Sequence, residues 1–593
     1  MWFIFILYFV LGCDAFDSRI VETAQGPVKG YKDPDGGLYM FYSVPYAKAP
    51  TGKDRFKAPL PAAQRPYVLE AIDKGIVCPQ QDFSVVITIQ SHLITTEDCL
   101  IANIFVPDTA KTNLPVLVYV HGGGYIAMYG NLVTYKNLVR SQDLLVVTFN
   151  YRLGAHGFLC LGTEGIPGNA GMKDQVALLR WIKENIASFG GNPDDITIAG
   201  YSAGASAVDL LMLSDTTKGL INKVIPESGA NLAAWSVQTD PIKNAKEYGK
   251  IINFPEYNNL DALEEFYKTV SYEILTLGEL SLVNRTDSTF LMSPCLERDT
   301  EEEEFLTESP VNILKSGKYS KLPMLYGFAK MEGLMRLDQF EHWKDLMNDN
   351  FIDFLPPDLQ FHDAKEKASV AEKIKTFYFR DESVSSNNIL SYIDFFSDIL
   401  FTYSSLRSVK LHVDAGHDKI YLYEYSFVHD DLPIIPHTNV RGANHCAQSN
   451  YVGDGNTHID EILFSKAVQD MKKTVRKLWI NFVTTGKPVP EGSEFPSWPP
   501  VGKDCSPYMV IDNPLRLSNS LLKERTLFWD GIYENYKMLY YDTLQRGQLI
   551  ANFEICFHIP IVDLCVSVVI IVLFLNFNVT FLNFNTYLLR QYT

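Results

Sequence analysis

The chain has 593 residues, 47% of them hydrophobic and 13% aromatic, a length and composition that bury a large core and exclude a disordered or fibrous polymer. Its formal charge of −18 repels phosphate backbones and acidic bilayer surfaces, which argues against nucleic acid as a partner and assigns the charge to solubility. Nine cysteines without a C-x-x-C pair or zinc-ligand spacing exclude a structural zinc site and a dense disulfide framework.

Residues 2–11 are a compact apolar run closed by Gly12-Cys-Asp-Ala15. They predict a signal peptide over residues 1–15 and an exported protein, although the usual basic leader is missing, with a buried N-terminal strand as the alternative. Residues 20–56 alternate polar and aromatic side chains between Gly and Pro breakers, as short antiparallel strands do. A bridge between Cys78 and Cys99 would remove about 3 kcal/mol of unfolded-state entropy, and two free buried cysteines are the alternative. Pro115-Val-Leu-Val-Tyr-Val120 reads as a strand covered on both faces, and it runs directly into His121-Gly-Gly-Gly-Tyr125. Three glycines in succession free the backbone to turn its N–H groups toward a ligand, as an oxyanion hole requires.

Residues 144–149 form a second buried strand, followed by Asn150-Tyr-Arg. Val176, Leu179, Ile182 and Ile186 then fall at helical spacing over residues 174–188, before Gly190-Gly-Asn-Pro stops the helix. Asp195-Ile-Thr-Ile-Ala-Gly-Tyr-Ser202-Ala-Gly204 continues as strand, sharp turn and a run able to form a helix through Leu213. A G-x-S-x-G in that context is a candidate nucleophile elbow, with Ser202 pointing its hydroxyl away from the chain. Alternating strands and helices of this kind predict an α/β fold with parallel pairing.

Glu97-Asp-Cys-Leu, His121-Gly-Gly-Gly, Asn150-Tyr-Arg, Asp174-Gln175, Phe189-Gly-Gly-Asn-Pro and Gly200-Tyr-Ser-Ala-Gly stand together in one order. In this set the chain resembles the type-B carboxylesterases, the carboxylesterase, cholinesterase and lipase group of α/β-hydrolases, and among them the insect carboxylesterases. The resemblance covers roughly residues 18–540 and implies an α/β-hydrolase fold: a central, mostly parallel sheet flanked by helices, with long insertions, in a domain spanning 16–541. It implies a serine hydrolase that cleaves small carboxylic esters to an acid and an alcohol through an acyl-enzyme. The third member of its triad is expected at Glu332, after the strand Pro323-Met-Leu-Tyr-Gly327, and the base at His445, in Gly442-Ala-Asn-His after the strand of residues 419–427. The resemblance also places the oxyanion hole at the N–H groups of Gly123, Gly124 and Ala203, and a serine that supports the acid at Ser228. Gln448 stands where the family commonly carries an acid, so the histidine loop is supported differently here.

No P-loop, G-x-G-x-x-G or metal motif is present, and no cofactor or metal is expected. Choline-ester specificity is disfavoured because Ile89 occupies the position of the family's cation-binding Trp. Tyr201 precedes the nucleophile where juvenile-hormone esterases typically carry Gln and many carboxylesterases Glu. Asn284-Arg-Thr is a glycosylation sequon that accords with secretion, and Glu301-Glu-Glu-Glu304 reads as a solvated loop. Phe464, Val468, Met471, Val475, Leu478 and Phe482 fall on one face of a core-packing helix that ends near Gly486. The tail, 542–593, has three readings: a short membrane span over 564–575, an anchor signal, or translated noncoding sequence. A span long enough for a bilayer would bury Asp563, Asn576 and Asn578, so membrane association is not favoured. The rival functions are a catalytically silent adhesion-type member and a slow-turnover protein that sequesters esters; oligomeric state is not legible.

Overall fold

A computed structural model of the chain describes residues 17–81, 93–277, 285–455 and 461–536. The expected signal peptide (1–15), Ile89, the sequon Asn284 and the tail (542–593) lie outside the described residues.

The chain enters as three antiparallel strands, β1 (Ser18–Thr23), β2 (Gly26–Lys32) and β3 (Leu38–Pro45), with β4 (Ile101–Pro107) antiparallel to β3. There follow β5 (Leu114–Val120), β6 (Leu145–Phe149), β7 (Gly191–Tyr201), β8 (Lys223–Glu227), β9 (Met324–Ala329), β10 (Ile420–Tyr425) and β11 (Tyr508–Ile511). The last strand is β12 (Arg516–Ser518), antiparallel to β11. In the sheet they run β1-β2-β3-β4-β6-β5-β7-β8-β9-β10-β11-β12, and a two-residue strand, Leu69–Glu70, beside β2 completes thirteen among the described residues. Every neighbouring pair from β6 to β11 is parallel.

Parallel strands need cover on both faces, and the side chains of β5 show how it is supplied. Val116, Val118 and Val120 enter one apolar core together with Val176, Leu179 and Leu210. Leu117 and Tyr119, on the opposite face, join Val475, Leu478, Trp479 and Phe482. The first group comes from α1 (Ala170–Asn185) and α2 (Ala203–Leu213), the second from α3 (Lys466–Thr485). The expected mostly parallel sheet between helices is therefore observed.

Two local readings are refined. Gly190, at φ +93°, ends the 3₁₀ turn Ile186–Phe189 that prolongs α1, but Gly191 is already the first residue of β7 and pairs with Leu114. The register then shifts between Leu114 and Val116, so that residues 192–195 are taken up before Ile196 pairs with Val116. The Asn-Tyr-Arg and Asp-Gln motifs prove to be structural. Arg152 Nε donates to Asp174 Oδ2 at 2.8 Å and its Nη2 to Oδ1 at 2.6 Å, while Nη1 donates to the carbonyls of Arg55 and Lys57. Both side chains are almost wholly buried, so removing either partner would leave an uncompensated charge inside the protein.

Cys78 and Cys99 are bonded, and a second disulfide joins Cys160 to Cys295 across 135 residues. The Cys160→Ser/Cys295→Ser variant is expected to lose several degrees of Tm, because in the chain-entropy account a loop of that size contributes up to about 5 kcal/mol. Differential scanning calorimetry under non-reducing conditions checks it; an unchanged Tm contradicts it.

Candidate active site

The site is assembled at the carboxyl ends of adjacent parallel strands, where chain leaves the sheet without pairing further. At the end of β7 the backbone turns sharply through Ser202 (φ +56°, ψ −123°) into α2. The turn brings helix and sheet so close that a Cβ on Gly204 would lie 2.2 Å from the carbonyl oxygen of Val120, and one on Gly200 2.5 Å from that of Gly204. Only hydrogen fits at either position. The Ser202 amide donates to the Glu227 carbonyl at 2.9 Å, tying the elbow to β8.

After β5 the chain passes through Gly123 (φ +97°) and Gly124 (φ +62°). A Cβ on Gly123 would stand 2.2 Å from Ala127 O, whose residue donates its own amide back to Gly123 O at 3.1 Å. This tight turn lies directly against the elbow, since a Cβ on Gly122 would meet Tyr201 O at 2.7 Å. His121, which opens the turn, is buried and stacked on Tyr151 at 4.4 Å, and burial lowers its pKa to about 4.

Glu332 follows β9 and is fully buried; its Oε1 accepts from the Ala329 amide at 2.7 Å. Its Oε2 lies 2.5 Å from His445 Nδ1, and His445 Nε2 lies 2.9 Å from Ser202 Oγ. Met331 N donates to Ala443 O at 3.0 Å, so the loops of the acid and of the histidine are joined by backbone as well. Phe401 stacks on the imidazole with centroids 4.1 Å apart. Three side chains separated by more than a hundred residues thus form one hydrogen-bonded line: carboxylate, imidazole, hydroxyl.

Ser228, expected beside the acid, faces the histidine loop: its Oγ accepts from Gln448 Nε2 at 2.7 Å. Next to it Glu227 is fully buried, with Oε2 accepting from Tyr119 (2.7 Å) and Ser449 (2.5 Å) and Oε1 from Trp479 Nε1 (2.8 Å). Burial raises its pKa to about 7 despite these three donors. One carboxyl therefore ties together β5, the helix turn after His445, and α3. Nothing along the chain marks this role: β8 carries a charge at each end, Lys223 and Glu227, and only the packing shows which of them is buried against three donors.

A model of the carboxylesterase family matches residues 17–529. The chain belongs to the carboxylesterase family. A carboxylic ester hydrolase of Bombus ignitus is 31% identical over 533 residues, covering 86% of this chain and 94% of the relative. Esterase FE4 of Myzus persicae is 30% identical over 525 residues, with 85% and 90% covered. Among solved structures, the juvenile hormone esterase of Manduca sexta, determined with OTFP covalently attached, superposes with a TM-score of 0.79 at 28% identity and covers 87% of this chain and 100% of its own. A PNB esterase gives 0.68 at 27% identity, with 86% and 99% covered. This carboxylesterase is accordingly a carboxylic ester hydrolase with the α/β-hydrolase fold, acting on small-molecule esters.

The raised pKa of Glu227 makes a signed prediction. Its folded-state pKa of about 7 exceeds the ordinary 4.5, so its burial costs nothing below about pH 4.5 and destabilises increasingly as pH rises to 7. Glu227→Gln is expected to unfold at a higher temperature relative to the parent at pH 8 than at pH 5. A stability difference that does not change between those pH values contradicts it.

Proposed function

We propose that Ser202 is the nucleophile of this carboxylesterase, His445 its general acid–base and Glu332 the group that orients and charges-balances the imidazole. The single observation that carries the assignment is the placement of His445 between the two, 2.9 Å from Ser202 Oγ and 2.5 Å from Glu332 Oε2. Neutral Nε2 takes the hydroxyl proton as Oγ attacks the ester carbonyl carbon. Glu332, accepting from Nδ1–H, favours the tautomer with a free Nε2 lone pair and stabilises the imidazolium that forms. The negative oxygen of the tetrahedral intermediate falls to the N–H groups of Gly123, Gly124 and Ala203, where losing one donor typically costs about 3 kcal/mol. Collapse returns the proton from Nε2 to the departing alkoxide and leaves the acyl group on Ser202. Water, losing its proton to Nε2, then repeats the steps and releases the acid.

The substrate side is proposed to accept an uncharged ester. Supporting this, Trp235 contacts both Phe290 and Phe401 at 5.4 and 5.7 Å between centroids, and Phe401 lies on the catalytic imidazole. Aromatic faces of this kind favour an apolar acyl or alcohol group over an anionic one. A surface cavity of about 340 Å³ bordered by Gln25, Lys173, Arg180 and Trp181 shares no residue with the triad. Secretion remains the proposed localisation, supported by two disulfides of the sort that persist in oxidising compartments. A silent adhesion-type role is not favoured, because all three triad side chains are present and in register.

Ser202→Ala is expected to lower kcat for p-nitrophenyl acetate by at least about 10⁴-fold with the Tm unchanged. Retained turnover overturns the assignment; a native burst of one acyl group per chain without subsequent turnover would favour sequestration. Native kcat/KM is expected to rise from pH 5 to pH 8, since only the neutral imidazole accepts the serine proton, and a falling rate over that range contradicts a general base.

A further inference from the structure

Cys446 follows His445 in the left-handed region, at φ +59°, a conformation uncommon for a residue with a side chain. Its Sγ lies 3.3 Å from His445 Nε2, the nitrogen that also faces Ser202 Oγ. Cys446 is one of two free cysteines among the described residues and is half-buried as a residue, with its thiol turned inward. The Ser228 hydroxyl and the Ser202 backbone engage it, and besides His445 the charged or titratable groups around it are Glu332 after β9, Glu227 on β8, Tyr201 on β7 and Tyr423 on β10. All four are acids and none is a cation. Burial and the two carboxylates push the thiol well above its ordinary range, so at neutral pH it is S–H and a donor.

We propose that Cys446 is a positioning residue for ester hydrolysis, its S–H serving as a second hydrogen-bond donor to Nε2 of His445. The inference rests on the assignment of His445 as the base. Nε2 has one lone pair, which in the free enzyme is shared between the serine O–H and the thiol S–H. Once Ser202 is acylated its oxygen carries no proton, and the thiol is then the donor that holds the imidazole in place for the incoming water. The thiol keeps its proton throughout and forms no covalent bond. Phe401 fixes the plane of the ring, and Cys446 fixes where its lone pair points within that plane.

A donor to the lone pair favours neutral imidazole, so removing it favours the imidazolium and moves the acidic limb of kcat/KM upward. Cys446→Ala and Cys446→Gly are expected to raise that limb by about half a pH unit, the size of a weak hydrogen bond lost, whereas Cys446→Ser, which keeps a donor, stays near the parent. Glycine also relieves the φ of +59°, so a residue that served packing or backbone geometry alone would tolerate glycine better than serine. Because Glu227 titrates near 7, the three variants are compared in both the native and the Glu227→Gln background with p-nitrophenyl acetate. The same upward order, Ala and Gly above Ser, in both backgrounds supports the inference. An unmoved limb in all three variants, or a serine variant displaced as far as alanine, overturns it. His445→Ala separates the two levels: if it is inactive while the Cys446 series is flat, only the thiol's role falls; if it retains the limb, the base assignment falls and the inference with it.

Discussion

Ser202 holds a backbone conformation that costs an L-residue on the order of 1–3 kcal/mol, and the sheet is what keeps it there. Its amide is bound to the Glu227 carbonyl, its carbonyl accepts the Ser206 amide at 3.1 Å, and the helix that begins after it is pressed against the β5 carbonyls with no room for a Cβ at Gly204. Relaxing the turn would mean withdrawing α2 from the sheet and opening the core that Val208, Leu210 and Leu211 fill. The strain is small against that loss, so the hydroxyl stays presented toward His445.

The same constraint orders the rest of the site. Parallel strands end on one side of the sheet, so the chain segments leaving β5, β7, β9 and β10 meet there. Each brings one chemical group: the glycine turn, the serine, the carboxylate and the imidazole. A backbone bond from Met331 N to Ala443 O joins two of these segments and holds Glu332 and His445 at a separation that does not depend on side-chain rotamers.

Two buried acids sit within this arrangement and do different work. Glu332 gives one oxygen to the Ala329 amide and the other to His445. Glu227 gives its oxygens to a phenol, a hydroxyl and an indole, none of which is a cation, and its ionisation is correspondingly disfavoured. It supplies the buried carboxyl behind the histidine loop, where position 448 carries a neutral glutamine bonded to Ser228.

The strands β5, β6 and β9 were legible as continuous apolar runs, because a parallel strand buried on both faces leaves no polar alternation to confuse, and β10 was legible by its alternation. Ser202 and His121-Gly-Gly-Gly124 were legible because their backbone demands restrict composition: a Cβ cannot fit at Gly123 or Gly204. Glu332 and His445 carry no such local demand, and only the resemblance to the family pointed to them. What the chain could not disclose lies in contacts between distant segments. The Cys160–Cys295 pairing, Phe401 on the imidazole, the turn of Ser228 toward Gln448, and the approach of the Cys446 thiol to Nε2 all depend on how the loops after separate strands pack. By itself the sequence determined the fold class, the serine elbow and the glycine turn, since these are written in local patterns of burial and backbone freedom. Only the tertiary structure decided which groups touch, because a hydrogen bond between residues 243 positions apart is set by the geometry of the sheet and leaves no periodicity along the chain.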